Sequence, residues 1–303
     1  MTRQQKITGI LAKLQDLKTD PRNSSRAYAI AELERFLRAA HSPMAYAAWL
    51  IGHARKMDAS LLLELTDFPY DPWDEEMHTE LIALERREKP GLVRPLVKEI
   101  SKTIIEANRD VTIASAGAGG MEVDRQVIEY LKRVGYTHRV TIVGIDMFES
   151  THEIASRTLG ATESVSIERN STLDSASVDA ARARAHSQFT IILCTNDIFS
   201  LPESFPDGYF DLAYHSLFKH HLDGEQQRKL DDVLHRVSKT SIEFDGYKSW
   251  LHGIIQSIFA WHSPVFLNGT IFSMARYKTR AQIRSVYPDA IFFTNTAHYL
   301  RRF

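Results

Sequence analysis

Val111-Thr112-Ile113-Ala114-Ser115-Ala116-Gly117-Ala118-Gly119-Gly120 runs a β-branched stretch straight into a glycine-rich turn. Behind it, residues 122–134 carry Val127, Ile128 and Leu131 at helical spacing. Strand, tight turn and helix therefore follow one another without a linker. Glycine lets the backbone approach a ligand with no Cβ in the way. The free N–H groups at a helix start attract a carboxylate or phosphate. Alone, the pattern also describes a close-packed turn, so the decision lies in its neighbours.

The next apolar run, Val140-Thr141-Ile142-Val143-Gly144-Ile145-Asp146, closes on a carboxylate. At the carboxyl end of an adjacent parallel strand, such a side chain can accept hydrogen bonds from ribose hydroxyls. Charge-assisted bonds of this kind are worth roughly 1.5–3 kcal/mol each. The competing reading is a solvated carboxylate that caps the following helix. A dinucleotide fingerprint needs Gly or Ala three residues past its second glycine. That position is Glu122, whose charge would oppose a pyrophosphate. NAD and FAD are disfavoured.

On either side of this core the chain has two grammars. From 108 to 303, β-rich runs alternate with helical ones, which predicts a parallel sheet with helices on its faces. Strands are expected at 111–115, 140–146, 189–195, 209–214, 241–245, 290–294 and 298–302. The last two are joined only by Asn295-Thr296-Ala297, too short for a parallel crossover, so they pair antiparallel. Residues 1–107 read as helix throughout. Ile7, Ile10, Leu11, Leu14 and Leu17 recur at helical spacing, Thr19-Asp20-Pro21 ends that helix, and Ser42-Pro43 opens another. Further helices are expected at 75–88 and 92–108.

Bulk properties narrow the function classes. A chain of 303 residues, 44% hydrophobic and 25% charged, suits one large or two modest globular domains. A formal net charge of -1 gives no global attraction to nucleic acid or anionic membrane. A single cysteine, Cys194, excludes an intrachain disulfide and a multi-cysteine metal cluster. It points to a reducing, cytoplasmic setting. The N-terminus lacks the apolar core of a secretory signal. The stretch 250–261 is interrupted by His252 and Gln256 and is shorter than the ~20 residues of a spanning helix.

Taken together, the residues resemble the class I S-adenosylmethionine-dependent methyltransferases, specifically the branch with small-molecule acceptors. The resemblance covers about 111–245, extends loosely to the C-terminal hairpin, and leaves out the N-terminal helices. The motifs that carry it are the Gly117/Gly119 turn, Gly144-Ile145-Asp146, Asn196-Asp197-Ile198 with Leu201-Pro202, and Phe210-Asp211-Leu212. The last lies between Pro206-Asp207-Gly208 and His220-His221-Leu222-Asp223. It implies a Rossmann-like, seven-stranded, mostly parallel sheet with an antiparallel C-terminal strand, and S-adenosylmethionine as cofactor. Gly117 and Gly119 would border the methionine and ribose, and Asp146 would hold the ribose hydroxyls. Met147 or Phe148 would lie against the adenine. In the Asn196 motif, Asp197 would accept from its amino group and the Ile198 N–H would donate to the ring. Ser115 stands where the family usually has Asp or Glu. It leaves a hydroxyl for the cofactor amino group unless another carboxylate substitutes. Residues 147–173 read as an inserted element near the adenosine pocket, a lid or a dimer contact.

Methyl transfer asks the protein mainly to align the acceptor and shield the site. An acceptor that must lose a proton also needs a base, and histidine is poised for that near neutral pH. Tyr214-His215-Ser216-Leu217-Phe218-Lys219-His220-His221 puts histidines after the fourth expected strand. His215, which the resemblance also places beside the methionine end, is the first candidate base and His220 the second. Packing roles are the alternative. Adjacent histidines do not converge on one ion from a helix, so no metal is expected. Tyr247 and Arg276 are candidates for the acceptor pocket, Arg276 otherwise serving a surface salt bridge. Tyr46 and Trp49, three apart on one helix face, would line a cap or merely pack. The N-terminal helices cover the site or form a homodimer interface. Three readings stay open: a small-molecule methyltransferase, an enzyme acting on protein or RNA, and a catalytically silent scaffold.

Overall fold

The computed structural model describes residues 91–160, 165–170, 174–222, 224–249, 251–252 and 277–303, with scattered positions between 8 and 38. The helices expected between 42 and 88, and with them Tyr46, Trp49 and Arg276, lie outside the described residues. In chain order the elements are α1 (Arg94–Ala107), β1 (Val111–Ala116), α2 (Glu122–Arg133), β2 (Val140–Asp146), α3 (Glu149–Gly160), β3 (Val165–Asn170), α4 (Ser175–Arg184) and β4 (Phe189–Thr195). There follow α5 (Leu201–Ser204), β5 (Leu212–Ser216), α6 (Gly224–Val237), β6 (Ser241–Gly246), α7 (Arg280–Val286), β7 (Ile291–Phe293) and β8 (His298–Arg302). Short 3-10 turns stand at Ile198–Ser200 and Lys219–His221.

Every residue of β1 and β2 is buried, as strands covered on both faces must be. The sheet has eight strands in the order β3-β4-β2-β1-β5-β6-β8-β7. The strands from β3 to β6 are parallel, and β8 pairs antiparallel with both β6 and β7. It is a Rossmann-like α/β sheet with an antiparallel C-terminal pair, as expected. On one face, α1 buries Leu96, Val97, Ile100 and Ile104, and α2 buries Val127, Ile128 and Leu131; all join the strand side chains in one core. Asn108, in the left-handed region, ends α1.

The expected seventh strand count is corrected to eight, because 147–173 folds into α3 and the edge strand β3. Its alternation of Val165 and Ile167 with Ser166 and Glu168 suits a half-covered edge. The strand expected at 209–214 begins at Leu212 instead. Phe205, Tyr209 and Phe210 pack ring against ring before it, and Phe210 keeps only an isolated bridge to Ser238.

The chain divides into two compact units. The sheet belongs to the unit made of Glu85–Gly246, Arg284–Thr294 and His298–Phe303. The other comprises Met1–Leu84, Tyr247–Ile283 and Asn295–Ala297. Among the described residues no helix is long and apolar enough to cross a membrane.

Candidate active site

The chain leaves β1 to build β2 and β4 on one side, then returns to the other side as β5. Ligands in open α/β sheets bind outside the strand carboxyl ends at such a switch point. Here those ends carry Ser115, Asp146, Thr195, His215 and Asp245.

Gly117, Gly119 and Met121 all have positive φ, which coils the turn tightly between β1 and α2. At Gly117 a side chain is excluded twice over: φ is +61°, and a Cβ would lie 2.6 Å from the Phe218 ring. The close approach there is made by the protein itself. Asp146 is buried and points into the same turn. Its Oδ2 accepts from the Gly119 N–H at 2.9 Å and its Oδ1 from the Phe148 N–H at 3.1 Å. A carboxylate has about four lone-pair positions, so these two bonds orient it without exhausting it. Met121 supplies no side-chain cap to α2, which leaves the first-turn amides to other partners.

Beneath the turn, Asp124 of α2 is enclosed by two hydroxyls. Tyr214 donates to its Oδ1, and the Ser115 hydroxyl lies 3.3 Å from its Oδ2 and 2.9 Å from the Tyr214 oxygen. Burial pushes the Asp124 carboxyl up to about 7, against the opposing pull of the Tyr214 and Ser115 bonds.

After β4, Asn196 and Asp197 build a compact turn. The Asn196 N–H donates to the Asp146 carbonyl at 3.0 Å, so the two strand ends are tied together. Asp197 caps the 3-10 turn, its Oδ1 accepting from Phe199 N–H at 3.0 Å. Ile198 is buried and Met147 is exposed. His152 of α3 sits 3.4 Å from the Thr195 hydroxyl through Nδ1, while its buried Nε2 has no partner. Burial holds its pKa below the ordinary histidine value despite the nearby Asp146 charge.

Across β1, the two candidate bases have different surroundings. His215 is fully buried with neither ring nitrogen hydrogen-bonded, and Glu243 is 3.9 Å from its Nε2. Burial lowers its pKa below the ordinary histidine value, with Glu243 opposing. His220 is instead fixed by Asp245: its Nδ1 lies 2.7 Å from Oδ1 and its backbone N–H donates to Oδ2 at 3.0 Å. Burial raises the Asp245 carboxyl, but His220 brings it below the ordinary carboxylate range. Nδ1 therefore donates to a charged acceptor.

The turn carrying His220 is anchored by its neighbour Lys219. That ammonium bonds Asp231 at 2.5 Å and Glu243 at 3.2 Å. Arg301 bonds the same two carboxylates at 2.6 and 2.5 Å, and Tyr299 donates to Glu243. Burial alone would raise the Glu243 carboxyl; Lys219, His215, Arg301 and Tyr299 bring it down to about 2.

The switch point thus brings together Ser115, Gly117, Gly119, Asp146, Met147, Asn196, Asp197, Ile198, His215 and His220. Tyr247 falls in the other unit, where its N–H donates to the Ala297 carbonyl and Arg280 lies over its ring. Asp124, His152 and the pairing of Asp245 with His220 were not found by sequence reasoning. The signal for Asp124 was its acidic place in the first turn of a helix that follows a glycine loop. Among the described residues no cluster of His, Cys, Asp and Glu could hold a metal.

No protein-family model matches the chain and no curated protein matches its sequence. Solved structures do resemble it. A possible exported protein from Bordetella parapertussis is 14% identical, with a TM-score of 0.47 over 94% of this chain and 98% of that one. CurJ carbon methyltransferase is 11% identical, with a TM-score of 0.46 over 96% of this chain and 69% of its own. Magnesium protoporphyrin IX methyltransferase from Synechocystis PCC 6803, solved with bound S-adenosylmethionine, is 10% identical, with a TM-score of 0.42 over 81% and 96%. S-adenosylmethionine-dependent methyltransferases recur among these neighbours.

Proposed function

We propose that the chain is an S-adenosylmethionine-dependent methyltransferase acting on a small-molecule acceptor. The observation that supports this most is the Asp146 carboxylate turned onto the Gly119 amide beside the switch point. Its remaining lone pairs suit vicinal ribose hydroxyls, and the donor set is compatible with the cofactor: an acidic strand end, a glycine turn and an uncapped helix start. In this reading Asp146, Gly117 and Gly119 hold the ribose and methionine parts, and Ile198 and Met147 flank the adenine. When bound, the cofactor supplies a methyl group activated on a sulfonium sulfur.

His220 is the base in this reading. Asp245 holds its ring by Nδ1, and Nε2 takes the proton that the acceptor hydroxyl or amine sheds as it is methylated. His215 serves the packing beneath. Cofactor binding without turnover is the second reading, favoured by the burial of His220, which is only 6% exposed.

S-adenosylhomocysteine at about a hundredfold over its Kd stabilises a protein by about 2.7 kcal/mol. The expected result is a clear rise in Tm with this ligand, lost in Asp146→Ala, and no rise with NADH. The reverse pattern, a shift with NADH alone, overturns the cofactor assignment. Incubation with labelled cofactor and a metabolite extract separates enzyme from scaffold. For an active wild type, His220→Ala should cut turnover about 10²–10⁴-fold with cofactor affinity kept. Undiminished turnover removes His220 from the role.

A further inference from the structure

Asp124 is a buried carboxylate that no cation among the described residues pairs with. Among the described residues Glu243 is paired with Lys219 and Arg301, and Asp245 with His220. Among the described residues Asp124 meets the hydroxyls of Ser115 and Tyr214 and its own backbone amide. Among the described residues the elements packed around it offer nothing else that titrates nearby. From β1 it meets Ser115 and from β5 Tyr214. The buried residues of α1 are Leu96, Val97, Ile100, Ser101 and Ile104. On α3, His152 has Asp146, Arg169 and Glu149 as its charged neighbours. On its own helix, Arg125 pairs with Glu122 and with Glu129.

Its position matters as much as its isolation. Ser115 stands two residues before Gly117, and Asp124 occupies the first turn of the helix that leaves the same glycine turn. In the cofactor reading the positively charged methionine end lies on this turn, and the Asp124 carboxyl is set behind the same turn. Burial keeps the group close to half-protonated near neutrality, so a small gain in local positive potential suffices to ionise it. Ser115, short and uncharged, leaves room for this carboxylate from the neighbouring helix.

We propose that Asp124 is the counter-charge for the positively charged end of the cofactor bound in the glycine turn, and that it releases its proton to solvent as that ligand binds. The inference rests on the cofactor reading above. It gives the helix a binding role that the turn and Asp146 do not supply.

Calorimetric titration of the full chain with S-adenosylmethionine, in two buffers of different ionisation heat, counts the protons released. About half a proton should leave at about pH 7, and affinity should rise about tenfold between about pH 6 and about pH 8. In Asp124→Asn that rise and that release should vanish. Tyr214→Phe removes a donor that favours the anion, so the midpoint of the pH profile should move upward; this variant keeps the test alive if the first does not fold. Binding to wild type with no proton release, or an unchanged pH profile in both variants, overturns the proposal while leaving the cofactor assignment intact. No binding to wild type at any pH overturns both.

Discussion

The carboxyl end of the sheet has two halves with opposite electrostatic habits. On the β5–β6–β8 side, the described buried carboxylates are answered inside the protein: Glu243 by Lys219 and Arg301, Asp245 by His220. On the β1–β2 side, Asp146 and Asp124 are just as deeply buried, yet among the described residues they bond only to amides and hydroxyls. An internally paired carboxylate is committed to structure. One held only by neutral donors keeps affinity for an incoming hydroxyl or cation. The contrast separates the half that holds the fold from the half suited to a ligand.

The largest effect should come from unpairing the first half. Glu243→Gln leaves Lys219 and Arg301 with Asp231 as their one remaining shared carboxylate, and breaking such a buried network costs about 3–5 kcal/mol. Urea unfolding near neutral pH measures it, and a loss well under about 1 kcal/mol would mean that the cluster is no more structural than a surface pair. The sign of the acid limb follows. The folded Glu243 carboxyl is lowered to about 2, so its stabilisation is full above its unfolded value and is lost as pH falls toward 2. The variant should show a flatter acid limb.

The second half should respond in the opposite sense. The folded Asp124 carboxyl is raised from 3.8 to about 7. Its contribution to stability is therefore full below the unfolded pKa and is lost as pH rises to about 7. Asp124→Asn should gain on wild type across that window, by about 1.4 kcal/mol per pH unit at most. A parallel pair of stability–pH curves would erase the distinction between the halves. The smallest effect belongs to the outer face of α2, where Arg125 pairs with Glu122 and Glu129 in partial contact with solvent. Arg125→Ala should cost only about 0.5 kcal/mol, measured in the same unfolding series.

Much of the ligand half was legible from residue order, because its signals are local. A β-branched run, glycines at Gly117 and Gly119, a helical stripe and a strand closing on Asp146 each lie within a few residues. β2, β4 and β8 fall where periodicity puts them. β3 was missed because Val165 to Asn170 is an edge strand, half-covered and rich in polar residues, so it lacks the apolar run of a central strand. The start of β5 was misread because Tyr209 and Phe210 have strand-forming side chains but spend them in an aromatic cluster with Phe205.

The long-range pairings of buried polar groups were not legible in either half. Glu243 reaches Arg301 across 58 residues, Asp231 reaches Arg301 across 70, and Asp124 meets Tyr214 across 90. Those meetings depend on register. Ser115 lies beside Tyr214, His215 beside Glu243, and Glu243 beside Arg301, and a slip of one residue would turn each side chain to the other face. Residue order alone established the alternating α/β plan, the glycine turn and the acidic strand end, since backbone preference and hydrophobic period act over short stretches. Which histidine gained a carboxylate partner, and which carboxylates were left without a cation, was decided only when the strands aligned, because charge pairing is a matter of distance in space.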